Sequence, residues 1–277
     1  MKRYAAGLVG VVLLLASAAC GASASHAVSH VPAPASTYPV GTRVVALSRG
    51  QARPLPTTVW YPALFAGRDA PIATGRFPLV IYSHGLHSLP AYHAEIISRW
   101  VAAGFVVAAP AYPRTREGSR RFSRAHVRNQ PADAWHVVRK VLALEVFAGH
   151  LDGGRIGAAG HSAGGYTTAG LFTAGHDRRL RGGIVIAGAG MAGAFAGPKA
   201  AMLFVHGTAD PTVPIEAARA AYDRVQWPKG FLALRGQDHG AYLAPGQAGF
   251  AQVVTTTLDF LRWTLYDDQT ARTRLAI

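Results

Sequence analysis

A single cysteine, Cys20, stands in 277 residues, so the chain can close no internal disulfide and rests on its core alone. Half of the residues are hydrophobic, which at this length is enough for one sizeable domain. Acids are scarce, 14 against 28 basic residues, and the formal charge is +14. That charge lacks a nucleic-acid recognition motif and an interleaved aromatic pattern, so nucleic acid is not an expected partner. No internal repeat occurs. The N-terminal apolar run, Ala5 to Ala19, is shorter than the ~20 residues a membrane-spanning helix needs. His84 and His87 read H-x-x-H, but no further ligands at metal spacing accompany them, and neither metal nor organic cofactor is expected.

Lys2 and Arg3, then Ala5 to Ala19, then small residues read as a signal peptide over residues 1–20, with an N-terminal anchor helix as the lesser alternative. Cys20, in Ala18-Ala19-Cys20-Gly21, resembles the lipidated cysteine of a bacterial lipoprotein. Ser17 departs from the aliphatic residue of that signal, so simple cleavage after Ala22-Ser23-Ala24 stays open beside lipidation. Residues 21–37 are rich in Ala, Ser, Pro and His without periodicity and read as a flexible tether. The domain proper is expected over 38–277. The expected location is outside the cytoplasm, secreted or attached to the envelope.

Gly160-His161-Ser162-Ala163-Gly164 reads G-x-S-x-G between an apolar run and a small-residue helical pattern. A strand that turns this tightly into a helix lifts a serine hydroxyl above the sheet and aims helix N–H groups at it. In such an arrangement an acid and a histidine follow the serine in chain order. Asp210 closes an apolar strand in Gly207-Thr208-Ala209-Asp210-Pro211, where a Pro-bearing turn would hold its carboxylate against an imidazole. Glu216 and Asp223 fall on the following helix, Asp177 in a charged segment, and Asp238 is poorly placed beside His239. His239, the one histidine after Asp210, completes Ser162, Asp210 and His239 as the candidate triad. The backbone N–H groups of Leu86, after the strand Leu79 to Tyr82, and of Ala163 are the candidate oxyanion donors.

Apolar runs alternate with helical patterns, which predicts an α/β fold: a mostly parallel eight-stranded sheet with helices on both faces. The strands read near 43–47, 57–61, 79–82, 105–109, 155–159, 183–187, 201–206 and 231–234. The helices read over 92–103, 131–148, 163–174, 215–225 and 247–266. Only 188–200 separate two of these strands, too few for a large cap domain.

The motifs Pro78 to Leu86, Asn129-Gln130-Pro131-Ala132-Asp133, Arg155-Ile156-Gly157 leading into Gly160 to Gly165, His206 to Asp210 and Asp238-His239-Gly240 carry a resemblance over roughly 38–266. The chain resembles α/β-hydrolases of the dienelactone hydrolase and platelet-activating-factor acetylhydrolase-like group, and is similar to secreted, cutinase-like bacterial polyester hydrolases. The resemblance implies the α/β-hydrolase fold, catalytic roles for Ser162, Asp210 and His239, and oxyanion donation by Leu86 and Ala163. It leaves the substrate open.

The function expected is therefore an exported serine esterase, lipase-like, acting through an acyl-enzyme on a small ester, lipid or polyester. A peptidase or amidase of the same fold, and an inactive binding protein retaining it, are the alternatives. His87, Met191, Phe195 and Tyr242 are the candidate pocket residues. Six arginines between Arg114 and Arg128 read either as a solvated loop or as a contact for an anionic envelope or membrane surface. A monomer is the expected state.

Overall fold

A computed structural model describes residue 1 and residues 32–275. The expected signal segment, Cys20 and most of the expected tether lie outside the described residues. Ala33 and Pro34, at the end of that tether, already pack on the domain. Ala33 lies against the core, and the Pro34 carbonyl accepts from Arg262 at 3.0 Å.

The described residues form a mostly parallel sheet of nine strands. In chain order they are β1 (Val40–Ser48), β2 (Pro54–Pro62), β3 (Gly67–Arg68), β4 (Phe77–Ser83), β5 (Val106–Pro110), β6 (Leu151–His161), β7 (Leu180–Ile186), β8 (Ala201–Gly207) and β9 (Lys229–Leu234). Their spatial order is β3-β1-β2-β5-β4-β6-β7-β8-β9. The eight-strand expectation missed β3, a two-residue strand at the sheet edge that pairs with Gly41 and Thr42. Two residues carry no periodicity to read. β1 and β2 form an antiparallel hairpin, and in spatial order from β5 to β9 all neighbours are parallel.

β4, β5 and β8 are buried along their whole length, as strands covered on both faces must be. Alternation then sorts their side chains. Leu79 and Ile81 face one core layer with Ala134, Val137 and Phe172, while Val80 and Tyr82 face the other with Ile97, Trp100 and Leu261. The helices are α1 (Ala94–Ala102), α2 (Gln130–Leu142), α3 (Ala163–Leu171), α4 (Ile215–Arg224), α5 (Phe250–Tyr266) and α6 (Gln269–Leu275). α2, α3 and α4 cover the first face; α1 and α5 cover the second, tied by Trp100 Nε1–H to the Thr257 hydroxyl at 2.9 Å. Pro131 opens α2, and Pro214 caps α4, where a missing N–H costs nothing. α6 was not expected; it is short, and its buried side chain is an alanine, Ala271.

From β4 the chain goes to β5 on one side and to β6 on the other. The carboxyl ends of β4 and β6 thus flank the point where strand order reverses, a place where α/β sheets leave a crevice. Residues 187–200, between β7 and β8, contain no helix.

Candidate active site

β6 runs into Ser162, whose φ of 56° and ψ of −119° lie outside the regions an L-residue favours. Its surroundings hold it there. The Ser162 N–H donates to the Ile186 carbonyl at 2.9 Å, and its carbonyl accepts from Gly165 at 2.8 Å. A Cβ at Gly160 would lie 2.2 Å from the Gly164 carbonyl oxygen, and one at Gly164 would lie 1.9 Å from that of Ser83. Both glycines are there because backbone meets backbone. Among the described residues the Ser162 hydroxyl is left without a hydrogen bond, and it opens into a cleft that His239 also lines.

Asp210 follows β8, with its side chain out of solvent. Its Oδ1 accepts from the N–H groups of Thr212 at 2.8 Å and Val213 at 2.9 Å, and its Oδ2 lies 2.7 Å from His239 Nδ1. Burial pushes the Asp210 pKa up, but the Val213 N–H, the His239 ring and the Thr212 N–H outweigh it and hold the carboxyl below its ordinary value. An ionised Asp210 accepts from the Nδ1–H of His239, which leaves the ring's Nε2 outside that contact. His206 stands on the other side. Its Nε2–H donates to the Val213 carbonyl at 2.8 Å and approaches Asp210 Oδ2 at 3.3 Å.

Leu86 and Ala163 both line the same cleft. The Ala163 N–H is the first of α3, where helix geometry leaves donors unpaired, and Leu86 N–H has no backbone acceptor among the described residues. The Gly85 turn brings the two segments together: a Cβ there would lie 3.2 Å from that of Ser162. The cleft holds about 500 Å³ and is largely apolar, with Val127, Tyr166 and Val213 on its walls.

Of the four expected pocket residues, His87 alone lines this cleft. It adopts a φ of 51° and stacks on Phe122 with ring centroids 3.8 Å apart. Tyr242 is fully buried: the short helix Ala241–Leu243 turns inward directly after His239, which sends this ring into the core. Phe195, at 6% exposure, packs against Phe204 and under the Arg224 guanidinium instead of over Ser162. Met191 reaches the far end of α3, where its sulfur would lie 2.8 Å from a Cβ at Gly170. The connection 187–200 starts behind the serine, where a Cβ at Gly188 would lie 3.0 Å from the Ser162 carbonyl oxygen, and then runs past Arg224 and Phe172.

Tyr166, Thr212, Val213, Arg124 and Val127 take their place. Tyr166 lies one helical turn beyond Ser162, and Thr212 and Val213 lie two and three residues beyond Asp210, so spacing alone offered a signal for these three. For Arg124 and Val127 it offered none beyond the arginine cluster.

Three further histidines stand behind the cleft. His84 Nδ1–H donates to the Gly85 carbonyl at 2.7 Å, and its Nε2 accepts from the Tyr112 N–H at 3.1 Å. Both nitrogens are used, so the H-x-x-H pair does not present two free ligands. Burial lowers its pKa to about 4. His93 is pushed down to about 3 by burial and by the neighbouring His161. His161 Nε2–H donates to the His239 carbonyl at 2.6 Å, and loss of solvation lowers its pKa to about 4.

No protein-family model matches this sequence, and comparison with curated proteins finds no significant match.

Proposed function

We propose that this protein is an α/β-hydrolase-type serine esterase that cleaves carboxylic esters through an acyl-enzyme. The observation that carries the reading is a strained Ser162 that shares one cleft with His239, whose ring is held by Asp210. His239 Nε2 takes the Ser162 proton as the hydroxyl attacks the ester carbonyl, and returns it to the leaving alcohol. Asp210 holds the imidazole and stabilises its charged form. The N–H groups of Leu86 and Ala163 receive the oxyanion. Water, activated by the same His239, then releases the acid. Every step is performed by side chains and backbone of this chain. Apolar walls suit an acyl or alkyl group. The N-terminal basic pair and apolar run favour action outside the cytoplasm.

The test is turnover of p-nitrophenyl acetate and butyrate by the wild type and Ser162→Ala, with fluorophosphonate labelling of both. Loss of the nucleophile is expected to lower kcat by about 10⁴ or more and to abolish the adduct. Equal turnover by the two proteins, or no adduct on wild-type Ser162, would sink the reading and favour a binding protein.

A further inference from the structure

The segment between β5 and α2 carries six arginines and one acid, Glu117. Its backbone is tied down. Ser123 N–H donates to the Arg114 carbonyl at 2.8 Å, and His87 N–H to the Thr115 carbonyl at 2.8 Å. The Ser119 hydroxyl donates to the Pro113 carbonyl at 2.8 Å, and inside the protein Gln130 donates to the Thr115 hydroxyl at 2.6 Å. Arg120, Arg121, Arg124 and Arg128 are exposed and Arg114 and Arg116 half-buried, with Arg116 Nη1 donating to the Glu117 carbonyl at 3.4 Å. Arg114, Arg116, Arg120 and Arg121 border an open groove of about 510 Å³ beside Ala52 and Pro54.

The acids nearby are already engaged. Asp133 is held by Arg49 and Arg53, and Glu117 accepts from the Tyr92 hydroxyl. Asp238, beyond His239, caps Gly240 and Ala241. Two aromatic rings stand at the same edge. Tyr92 is 61% exposed and Phe122 36%, and Phe122 stacks on His87 at the cleft. Arg124 and Val127, of the same segment, line the cleft itself. Cationic groups, exposed rings and the mouth of an apolar cleft therefore share one end of the sheet.

We infer that this edge docks on an anionic lipid surface, with the cleft mouth turned to the bilayer. Guanidinium groups pair with lipid phosphates. Amphipathic and aromatic rings such as those of Tyr92 and Phe122 suit the headgroup level. A soluble polyanion would satisfy the arginines and leave the rings in water, so the rings favour lipid. Docking stands on the surface alone; delivery of a lipid-borne ester to Ser162 rests on the esterase reading.

The experiment titrates full-length protein, as wild type and as Arg116→Gln/Arg120→Gln/Arg121→Gln, with sedimented vesicles of phosphatidylcholine alone or with 30 mol% phosphatidylglycerol. The readout is the ratio of partition coefficients for the two vesicles, which cancels any uncharged insertion of the N-terminal apolar run. Wild type is expected to favour the anionic vesicles. The triple variant is expected to lose about a hundredfold of that preference, at about fivefold per arginine, and 0.5 M NaCl to remove most of the rest. Turnover of a soluble p-nitrophenyl ester is expected to be the same in both proteins. A ratio near one for the wild type, or an unchanged ratio in the variant, overturns docking. Binding to polyphosphate without binding to the anionic vesicles overturns the lipid assignment. Ser162→Ala is expected to bind vesicles as wild type does, so failure of the esterase reading shows in turnover and failure of docking in sedimentation.

Discussion

His161 Nε2–H holds the carbonyl of His239 at 2.6 Å, so the side chain next to the candidate nucleophile anchors the turn that carries the candidate base. Removing it frees that turn and leaves a carbonyl without its donor. His161→Ala is expected to lower kcat about tenfold, the size of one lost hydrogen bond, with KM little changed. His161→Gln, which keeps an N–H donor, should recover part of the loss; equal rates for all three proteins would remove the anchor role. Asp210→Asn is expected to cost about 10⁴ in kcat, because the His239 proton is then free to move to the wrong nitrogen. A loss under tenfold would show that Asp210 does not orient the ring. At this scale motif and chain order singled out Ser162, Asp210 and His239, and the structure sets Asp210 against the His239 ring and puts Ser162 on the same cleft as His239. The pocket was read less well. Met191, Phe195 and Tyr242 are apolar and near the motifs in sequence, but direction depends on how two connections fold back.

The tight turn at Ser162 is a property of elements, because β6 and α3 can meet only where glycine admits the carbonyls of neighbouring segments. Gly164→Ala would place a methyl 1.9 Å from the Ser83 oxygen, and its expected cost is about 3 kcal/mol or more in urea unfolding. A change under about 0.5 kcal/mol, the scale of a neutral surface substitution, would contradict this packing. A second joint links α2 to the β1–β2 turn. Asp133 is 0% exposed and accepts from Arg49 Nε at 2.6 Å and from Arg53 Nε at 2.8 Å. Asp133→Asn leaves two arginines facing a neutral amide and is expected to destabilise by about 3 kcal/mol, again read by urea unfolding; wild-type stability would show the pair to be idle. The sequence motif around Asp133 drew notice without disclosing this role, since its partners lie some 80 residues earlier. Long apolar strands and amphipathic helices were legible, whereas β3 and α6 are too short to show a period.

For the whole molecule, the buried histidines set a pH limit. His84 and His161 titrate near 4 and His93 near 3, all lowered mainly by burial, against about 6.5 in an unfolded chain. Between those values the unfolded state binds more protons, so stability is full above about pH 6.5 and falls as pH drops towards 4. Asp210, also lowered, adds a loss of the same sign at still lower pH. Each neutral histidine contributes roughly 1 kcal/mol per pH unit across its window. The Tm measured at steps from pH 7.5 to 4 should decline throughout the lower range; a flat profile from 6.5 to 4 would mean that these rings charge without penalty.

Local chemistry in this chain speaks through its sequence: a glycine-flanked serine, an acid at a strand end, a histidine in a polar turn, and strands apolar enough to be covered twice. Those are decided within a few residues by steric and hydrophobic rules. What walls the cleft, which histidines are buried behind it and which arginines find an acid were decided only by tertiary structure. Each depends on segments distant in sequence meeting at the carboxyl edge of one sheet, where a side chain's neighbours, and not its own type, set its direction and its charge.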